Sequence, residues 1–469
     1  MLLQHRDGAH FIEYLLEREF AKGPISPADR GLAQELAYGV VRWEKTLEWL
    51  IDQKTRERPE KPALQILLRL GLYQLFWLDR IPDHAAVHET VELSKHLGFK
   101  SQAGFINAVL RGFLRERDVT RQKLGELRER DPAKGLSHPD WLYQRWRERW
   151  GEADARRLME WNNQPPPIYA RVNTIKTDAA RLTDAWKREG VQFRPCEFSP
   201  LTLALSPLRG EGENRRAQVL PLPIGQGEDV ATPELPPLPL LKGEGRGEGS
   251  TLMFQLLAHP ALATLRSFQD GWFYIQDPST LLSVHELDPQ RGETILDMCS
   301  APGGKTTYIA ALTANESKLV ATDVSPARLD LVRENCGRLG VTSVDIQPWS
   351  AVLSQSSTPQ FDRILIDAPC SNTGVMRRRV ELRWRVRPEE LQRLVKEQRD
   401  LLEHASQLLK PGGVLVYSTC SLEPEENAGV VEAFQRSHTN FKVHVNRMRT
   451  LLPFRDGVDG AFAARMVRV

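Results

Sequence analysis

Asp297-Met298-Cys299-Ser300-Ala301-Pro302-Gly303-Gly304-Lys305-Thr306-Thr307 decides the fold of this 469-residue chain. The short apolar run Thr294–Asp297 reads as a strand, and the paired glycines turn it into a helix over about 304–312. Glycine has no Cβ, so backbone at Gly303 and Gly304 can approach a ligand closely. The helix start aims free N–H groups and a positive dipole end at an anionic group. Lys305 adds a positive charge. Asp323 ends the next strand candidate, Lys318–Asp323, about where an acid grips ribose hydroxyls. Further strand candidates are 343–347, 363–367 and 413–418, with helices over 326–339 and 388–409. This alternation predicts a doubly wound, Rossmann-like α/β sheet over 273–469.

Two apolar runs in that half end in a cysteine. One is Ile364-Leu365-Ile366-Asp367-Ala368-Pro369-Cys370-Ser371; the other is Val414-Leu415-Val416-Tyr417-Ser418-Thr419-Cys420-Ser421. In an open parallel sheet both would converge with the glycine turn on the crevice at the carboxyl ends of the strands. A thiol beside a nucleotide-type loop points to covalent catalysis with a nucleotide-like cofactor. Cys336 shares an apolar helix face with Leu329, Val332 and Leu339 and reads as core. Cys299 reads as structural or ligand-lining, and Cys196 has no assigned role.

Five cysteines without zinc-finger spacing argue against a disulfide scaffold and fit a reducing cytoplasm. Charge appears too early at the amino terminus for a signal peptide, and no apolar run approaches the ~20 residues of a membrane helix. With 41% hydrophobic and 26% charged residues and a net charge of +2, the composition is that of an ordinary soluble protein in which any basic surface is local. His84 and His88 lie four apart on one helix face but lack a third ligand, so no metal is expected.

Residues 1–135 read as all-helical: Phe11, Leu15 and Leu16, then Leu32, Leu36 and Val40, then Leu64, Leu67, Leu68 and Leu72 recur at helical spacing. Over 136–272 the pattern changes to a polar helix, a strand over 168–173 and a helix over 178–190, a small α+β domain. Within it, about 200–250 is rich in Pro and Gly and has no apolar period. It reads as a low-complexity insertion, flanked by a strand start at 201–205.

The segments Cys299 to Lys305, Asp367 to Ser371, and Ser418 to Ser421 followed by Pro424-Glu425-Glu426-Asn427 resemble RNA cytosine-5 methyltransferases of the Sun/RsmB family in order and spacing. Gln276-Asp277-Pro278-Ser279 and Asp459-Gly460 also match. The amino-terminal helices are similar to NusB in Ile81-Pro82-Asp83-His84-Ala85-Ala86-Val87 and Phe105-Ile106-Asn107-Ala108-Val109-Leu110-Arg111. The resemblance implies a NusB-like RNA-binding domain over 1–135, an RRM-like small domain over 136–272 and a class I methyltransferase over 273–469.

It further implies methyl transfer from S-adenosyl-L-methionine to carbon 5 of a cytosine in bacterial 16S rRNA, naked or in early assembly, by a cytoplasmic monomer. Implied cofactor contacts are Cys299, Ser300, Ala301, Pro302, Gly303, Gly304, Lys305, Asp323, Arg328 and Asp367. Cytosine carbon 5 is a poor nucleophile until a thiolate adds to carbon 6. Spacing leaves open which thiol attacks. The resemblance assigns attack to Cys420 and product release to Cys370, with Asp367 touching cofactor and base and Lys305 beside it. Two alternatives share these motifs: a tRNA cytosine-5 methyltransferase, and a catalytically weak NusB-like RNA-binding protein.

The chain departs from the family twice. Ser350 stands where an Asp usually lies near the adenine; a hydroxyl loses the charge-assisted part of that hydrogen bond, so weaker cofactor binding is expected. Arg379-Val380-Glu381 replaces a polar residue, Pro and Asp. Around it, Arg377, Arg378, Arg379, Arg383, Arg385 and Arg387 surround Trp384, a composition suited to phosphate contact and base stacking.

Overall fold

Helical periodicity at the amino end becomes a set of packed helices. In the computed structural model, residues 1–6, 10–55, 61–196, 252–355 and 359–469 are described. The insertion expected at about 200–250 and the strand start at 201–205 lie outside them. Helix Pro27–Arg42 begins with Pro27 behind a Ser26 cap, whose side chain accepts from the Asp29 amide. Helices Pro62–Trp77 and Ala103–Arg115 present Leu64, Leu67, Leu68 and Leu72, and Ile106, Leu110 and Phe113, to one buried core. Gly71 permits their close approach, because a Cβ there would lie 2.7 Å from Leu110 Cδ1. Periodicity overreached at Phe11 and Leu32, which are exposed; the Phe11 ring instead lies beneath the Arg385 guanidinium.

Helix Asp140–Asn163, broken at Gly151 (φ 80°), leads into a small antiparallel sheet. Its strands are β1 (Ile168–Val172), β2 (Gln192–Pro195), β3 (Met253–Ala258) and β4 (Phe273–Ile275), in the order β2-β3-β1-β4. Helix Ala179–Arg188, capped by Asp178, buries Leu182 and Trp186 against Ala170, Phe254 and Phe273. Asn173 fastens this unit to the catalytic half by donating to Gly271 O (2.7 Å) and Leu339 O (2.8 Å).

The large sheet comprises β5 (Thr294–Asp297), β6 (Lys318–Asp323), β7 (Val344–Pro348), β8 (Phe361–Asp367), β9 (Leu409–Thr419), β10 (Phe441–Leu451) and β11 (Ala461–Arg468). Its order is β10-β11-β9-β8-β5-β6-β7. Strands β5 to β9 are parallel, whereas β11 runs antiparallel to β9 and β10. The sheet is therefore mixed; β10 and β11 extend the expected set, and β11 alone runs against the other strands. Alternation along the strands feeds two cores: Ile295, Leu365 and Val416 face one helix layer, and Leu296, Ile364, Ile366 and Leu415 face the other. Cys336 lies in the first, as its spacing indicated. From β5 the chain runs outward through β6 and β7, then returns to β8 on the other side. That reversal creates a switch point at the carboxyl ends of β5 and β8. Among the described residues no helix is long and apolar enough to cross a membrane.

Candidate active site

Register brings Asp297 of β5 beside Leu365 of β8, and Asp367 beside Ser418 of β9, so these motifs meet at that switch point. After β5 the turn is held by Ser300, whose amide and hydroxyl both donate to Thr322 O (2.9 Å each). Gly303 adopts φ 103°, a conformation that favours glycine. Gly304 opens helix Gly304–Leu312, and a Cβ there would come within 2.9 Å of the Tyr274 ring.

Asp323 is buried at the end of β6, facing Arg328, which also donates to Ala301 O (3.0 Å). The Asp323 Oδ2 atom lies 3.2 Å from Arg328 Nη1 in an ion pair but accepts no hydrogen bond. A buried carboxylate oxygen with that spare acceptor capacity, beside a helix N-terminus and a side-chain-free turn, fits a ribose-bearing cofactor with an anionic tail. Cys299 sits in this turn, its thiol pushed well up by burial and by Asp367, Asp297 and Asp323, so it stays protonated. Ser350 is exposed in the first turn of helix Trp349–Gln355, just beyond β7.

Asp297 itself is fully buried and accepts from Thr306 Oγ1 at 2.7 Å. Burial pushes its carboxyl up to about 7. The native state then keeps a proton that the unfolded chain releases above pH ~4, so this stabilisation is complete below pH ~4 and is lost as pH rises through 7. Asp297→Asn keeps the acceptor without the titration. Its melting temperature is expected to fall less between pH 5 and pH 8 than that of the wild type, a difference that thermal melts at the two values would measure.

Lys305 Nζ meets Asp367 Oδ2 at 2.5 Å, while Ser418 Oγ donates to Asp367 Oδ1 at 3.2 Å. Burial pulls the Lys305 ammonium down, but Asp367 outweighs it and the net shift is upward. Lys305 is therefore a fixed cation. Next to this pair, Cys370 Sγ and Cys420 Sγ lie 3.5 Å apart. Cys370 is buried and its thiol is pushed well up, first by its hydrogen bond with Cys420 and then by burial. Cys420 is more open, and its Sγ donates to Asn372 Oδ1 at 2.9 Å.

One buried carboxylate ties the two cysteine loops together. Glu426 accepts from Ser371 N (2.9 Å), Ser371 Oγ (2.5 Å) and Ser421 Oγ (2.5 Å), and from Gln398 Nε2 (3.1 Å). Each serine directly follows a cysteine. Asn427 completes the clamp through Thr419 Oγ1 (2.6 Å) and Ser421 O (2.9 Å). The roles of Glu426, Ser371, Ser421 and Asn372 escaped the sequence reading; the repeated Cys-Ser pair was the available signal. Gly374 and Gly460 touch where the loops cross, since a Cβ on Gly374 would meet Cys420 O and Gly460 Cα at 2.7 Å.

Most of the arginine row packs inward instead of forming the expected phosphate-contacting face. Arg377 is buried between Asp277 and Asp459, with its guanidinium over Trp161, and Arg378 bridges the same two carboxylates. Arg383 is fully buried and donates to Arg42 O, Ser137 O, Asn162 O and Asn163 Oδ1. Trp384 Nε1 donates to Val41 O, Arg385 donates to His10 O, and Glu381 accepts from the Ile12 amide. Val380 packs among Ile12, Leu16, Ala37 and Val41. This segment latches the amino-terminal helices to the catalytic half. Only Arg379 and Arg387 of the row are exposed.

Comparison with known proteins agrees with this architecture. Residues 284–467 match the family described as 16S rRNA methyltransferase RsmB/F, residues 1–115 the NusB family, and residues 138–207 a ferredoxin-like domain of RsmF/B-like methyltransferases. The probable ribosomal RNA small subunit methyltransferase B of Bacillus subtilis is 31% identical over 99% of this chain and 96% of its own. The ribosomal RNA small subunit methyltransferase B of Serratia proteamaculans is 34% identical over 95% and 92%. A solved methyltransferase homologue from Pyrococcus horikoshii superimposes with a TM-score of 0.55 at 27% identity, covering 72% of this chain and 98% of that one.

Proposed function

Because the chain belongs to the ribosomal RNA small subunit methyltransferase B family, we propose that Cys420 and Cys370 carry out the two halves of a covalent methylation of cytosine carbon 5 in 16S rRNA. The protein is an S-adenosylmethionine-dependent rRNA methyltransferase. The observation that carries the covalent reading is the pair of sulfurs 3.5 Å apart, beside the Lys305–Asp367 ion pair at the switch point of the sheet.

The turn from Cys299 to Lys305, with Asp323, Arg328 and Asp367, would hold S-adenosylmethionine. Bound there, the cofactor supplies an electrophilic methyl group. Cys420 Sγ, as a thiolate, adds to carbon 6 of the flipped-out base, and the ring becomes an enamine that is nucleophilic at carbon 5. Asp367, its orientation fixed by Lys305 and Ser418, would contact cofactor and base. After methylation the carbon-5 proton passes to solvent, the bond between carbon 6 and sulfur breaks, and Cys420 departs, assisted by Cys370. The substrate we propose is naked or early-assembly RNA, met in the cytoplasm by a monomer.

Isotope-labelled S-adenosylmethionine with naked 16S rRNA is expected to deposit label on a cytosine. Label in tRNA alone would select the tRNA alternative, and RNA binding without label would select the catalytically weak one. Either result overturns the proposal.

A further inference from the structure

Asn372 occupies an unusual place. It lies two residues beyond Cys370 in left-handed backbone (φ 58°), a conformation that asparagine tolerates better than most residues. Its Nδ2 donates to Cys370 O at 2.6 Å, which settles that the other end of the amide, Oδ1, is the one facing Cys420 Sγ. The residues on both sides are pinned: Ser371 by Glu426, and Thr373 by accepting from the Leu422 amide at 2.8 Å. The side chain is therefore aimed, and it offers the sulfur an acceptor with no donor.

An acceptor bonds the neutral S–H and repels a thiolate. Cys420 Sγ has two direct polar contacts, Asn372 Oδ1 at 2.9 Å and the Cys370 thiol at 3.5 Å, and the amide oxygen is the shorter and stronger acceptor. From the β8 side come Cys370, whose sulfur is 3.5 Å away, and Asp367, engaged with Lys305 at 2.5 Å. Lys305, a cation on helix Gly304–Leu312, lies within electrostatic reach of Cys420. Glu426 acts on Cys370, and its oxygens are occupied by Ser371, Ser421 and Gln398.

We propose that Asn372 is a further catalytic residue, whose Oδ1 holds Cys420 as an aimed, protonated thiol until substrate engages. Lys305 and Asn372 then oppose one another at one sulfur: the cation favours ionisation and the amide oxygen resists it. The resting nucleophile is kept from alkylation and oxidation, which act on thiolates. The inference rests on reading Cys420 as the attacking thiol, but its test needs neither RNA nor methyl donor.

The test is the pH dependence of iodoacetamide alkylation at Cys420 in the full chain, read peptide by peptide by mass spectrometry. Asn372→Gly preserves the positive φ and removes the acceptor. Its alkylation midpoint is expected to fall by about half a pH unit, or roughly threefold more thiolate at a given pH below the midpoint. Asn372→Asp replaces the acceptor with a charged one, and its midpoint is expected to rise. A glycine midpoint that stays or rises overturns the proposal, and so does an aspartate midpoint that fails to rise. If the glycine variant does not fold, Asn372→Ala, which also removes the acceptor, decides in its place: a downward shift supports the inference and any other result overturns it. Should the midpoints behave as expected while Cys420→Ala still methylates RNA, the assignment of attack to Cys420 fails and the hydrogen-bond inference stands.

Discussion

Cys420→Ala is expected to abolish methylation and covalent RNA capture together, whereas Cys370→Ala is expected to accumulate a protein–RNA adduct that survives a denaturing gel. Removing a nucleophile that forms a covalent intermediate costs on the order of 10^4-fold or more in rate. The asymmetry between the two variants comes from their surroundings. Cys420 is the more accessible sulfur and lies near the fixed charge of Lys305. Cys370 is buried, and its bond to Cys420 and its desolvation push its thiol well up, so at neutral pH it is a proton carrier and a poor nucleophile. A protonated thiol 3.5 Å from the departing sulfur can return a proton to it. Without that proton the adduct forms and is slow to resolve. Incubation with labelled S-adenosylmethionine and rRNA, followed by electrophoresis with and without nuclease, reads both effects. Adduct accumulation by Cys420→Ala and inactivity of Cys370→Ala would reverse the two roles.

The catalytic half was legible because its signals are local. A glycine turn flanked by a strand and a helix announces itself within eleven residues, and β5, β6 and β8 end where their apolar runs meet Asp297, Asp323 and Asp367. The last two strands were not assigned: β10 carries charge along an edge, and Phe441–Leu451 lacks clean alternation. Contacts between distant segments were illegible for a different reason. Nothing near Glu426 in sequence says that it will clamp Ser371 from 55 positions away. The arginine row misled because composition does not report burial. Six arginines around a tryptophan have the same chemistry whether they face phosphates or backbone carbonyls, and only packing against Arg42, Ser137 and Asn162 decides. The departure at Val380-Glu381 acquires its meaning from the same packing, since both residues dock on the helix Ile12–Phe20.

Arg383→Met is expected to loosen that docking and to cost about 1–3 kcal/mol of stability. The guanidinium is wholly buried; its two Nη atoms donate to backbone oxygens of Arg42, Ser137 and Asn162 and to the side-chain oxygen of Asn163, while Nε has no partner. Methionine fills a similar volume but offers no donor, so these acceptors lose their partner in a site closed to water. The acceptors come from helix Pro27–Arg42, the turn before helix Asp140–Asn163 and the end of that helix. Their loss therefore strikes the junction between the amino-terminal helices and the catalytic half. Urea unfolding should show a lowered midpoint, with an early transition as the helices part from the sheet. Arg379→Ala and Arg387→Ala, both exposed, provide the contrast: stability should change by less than about 0.5 kcal/mol. If either contacts phosphate, its loss should reduce the salt slope of RNA binding by about one. Unchanged stability in Arg383→Met together with weakened RNA affinity would return this arginine to the RNA surface and remove its part in the latch.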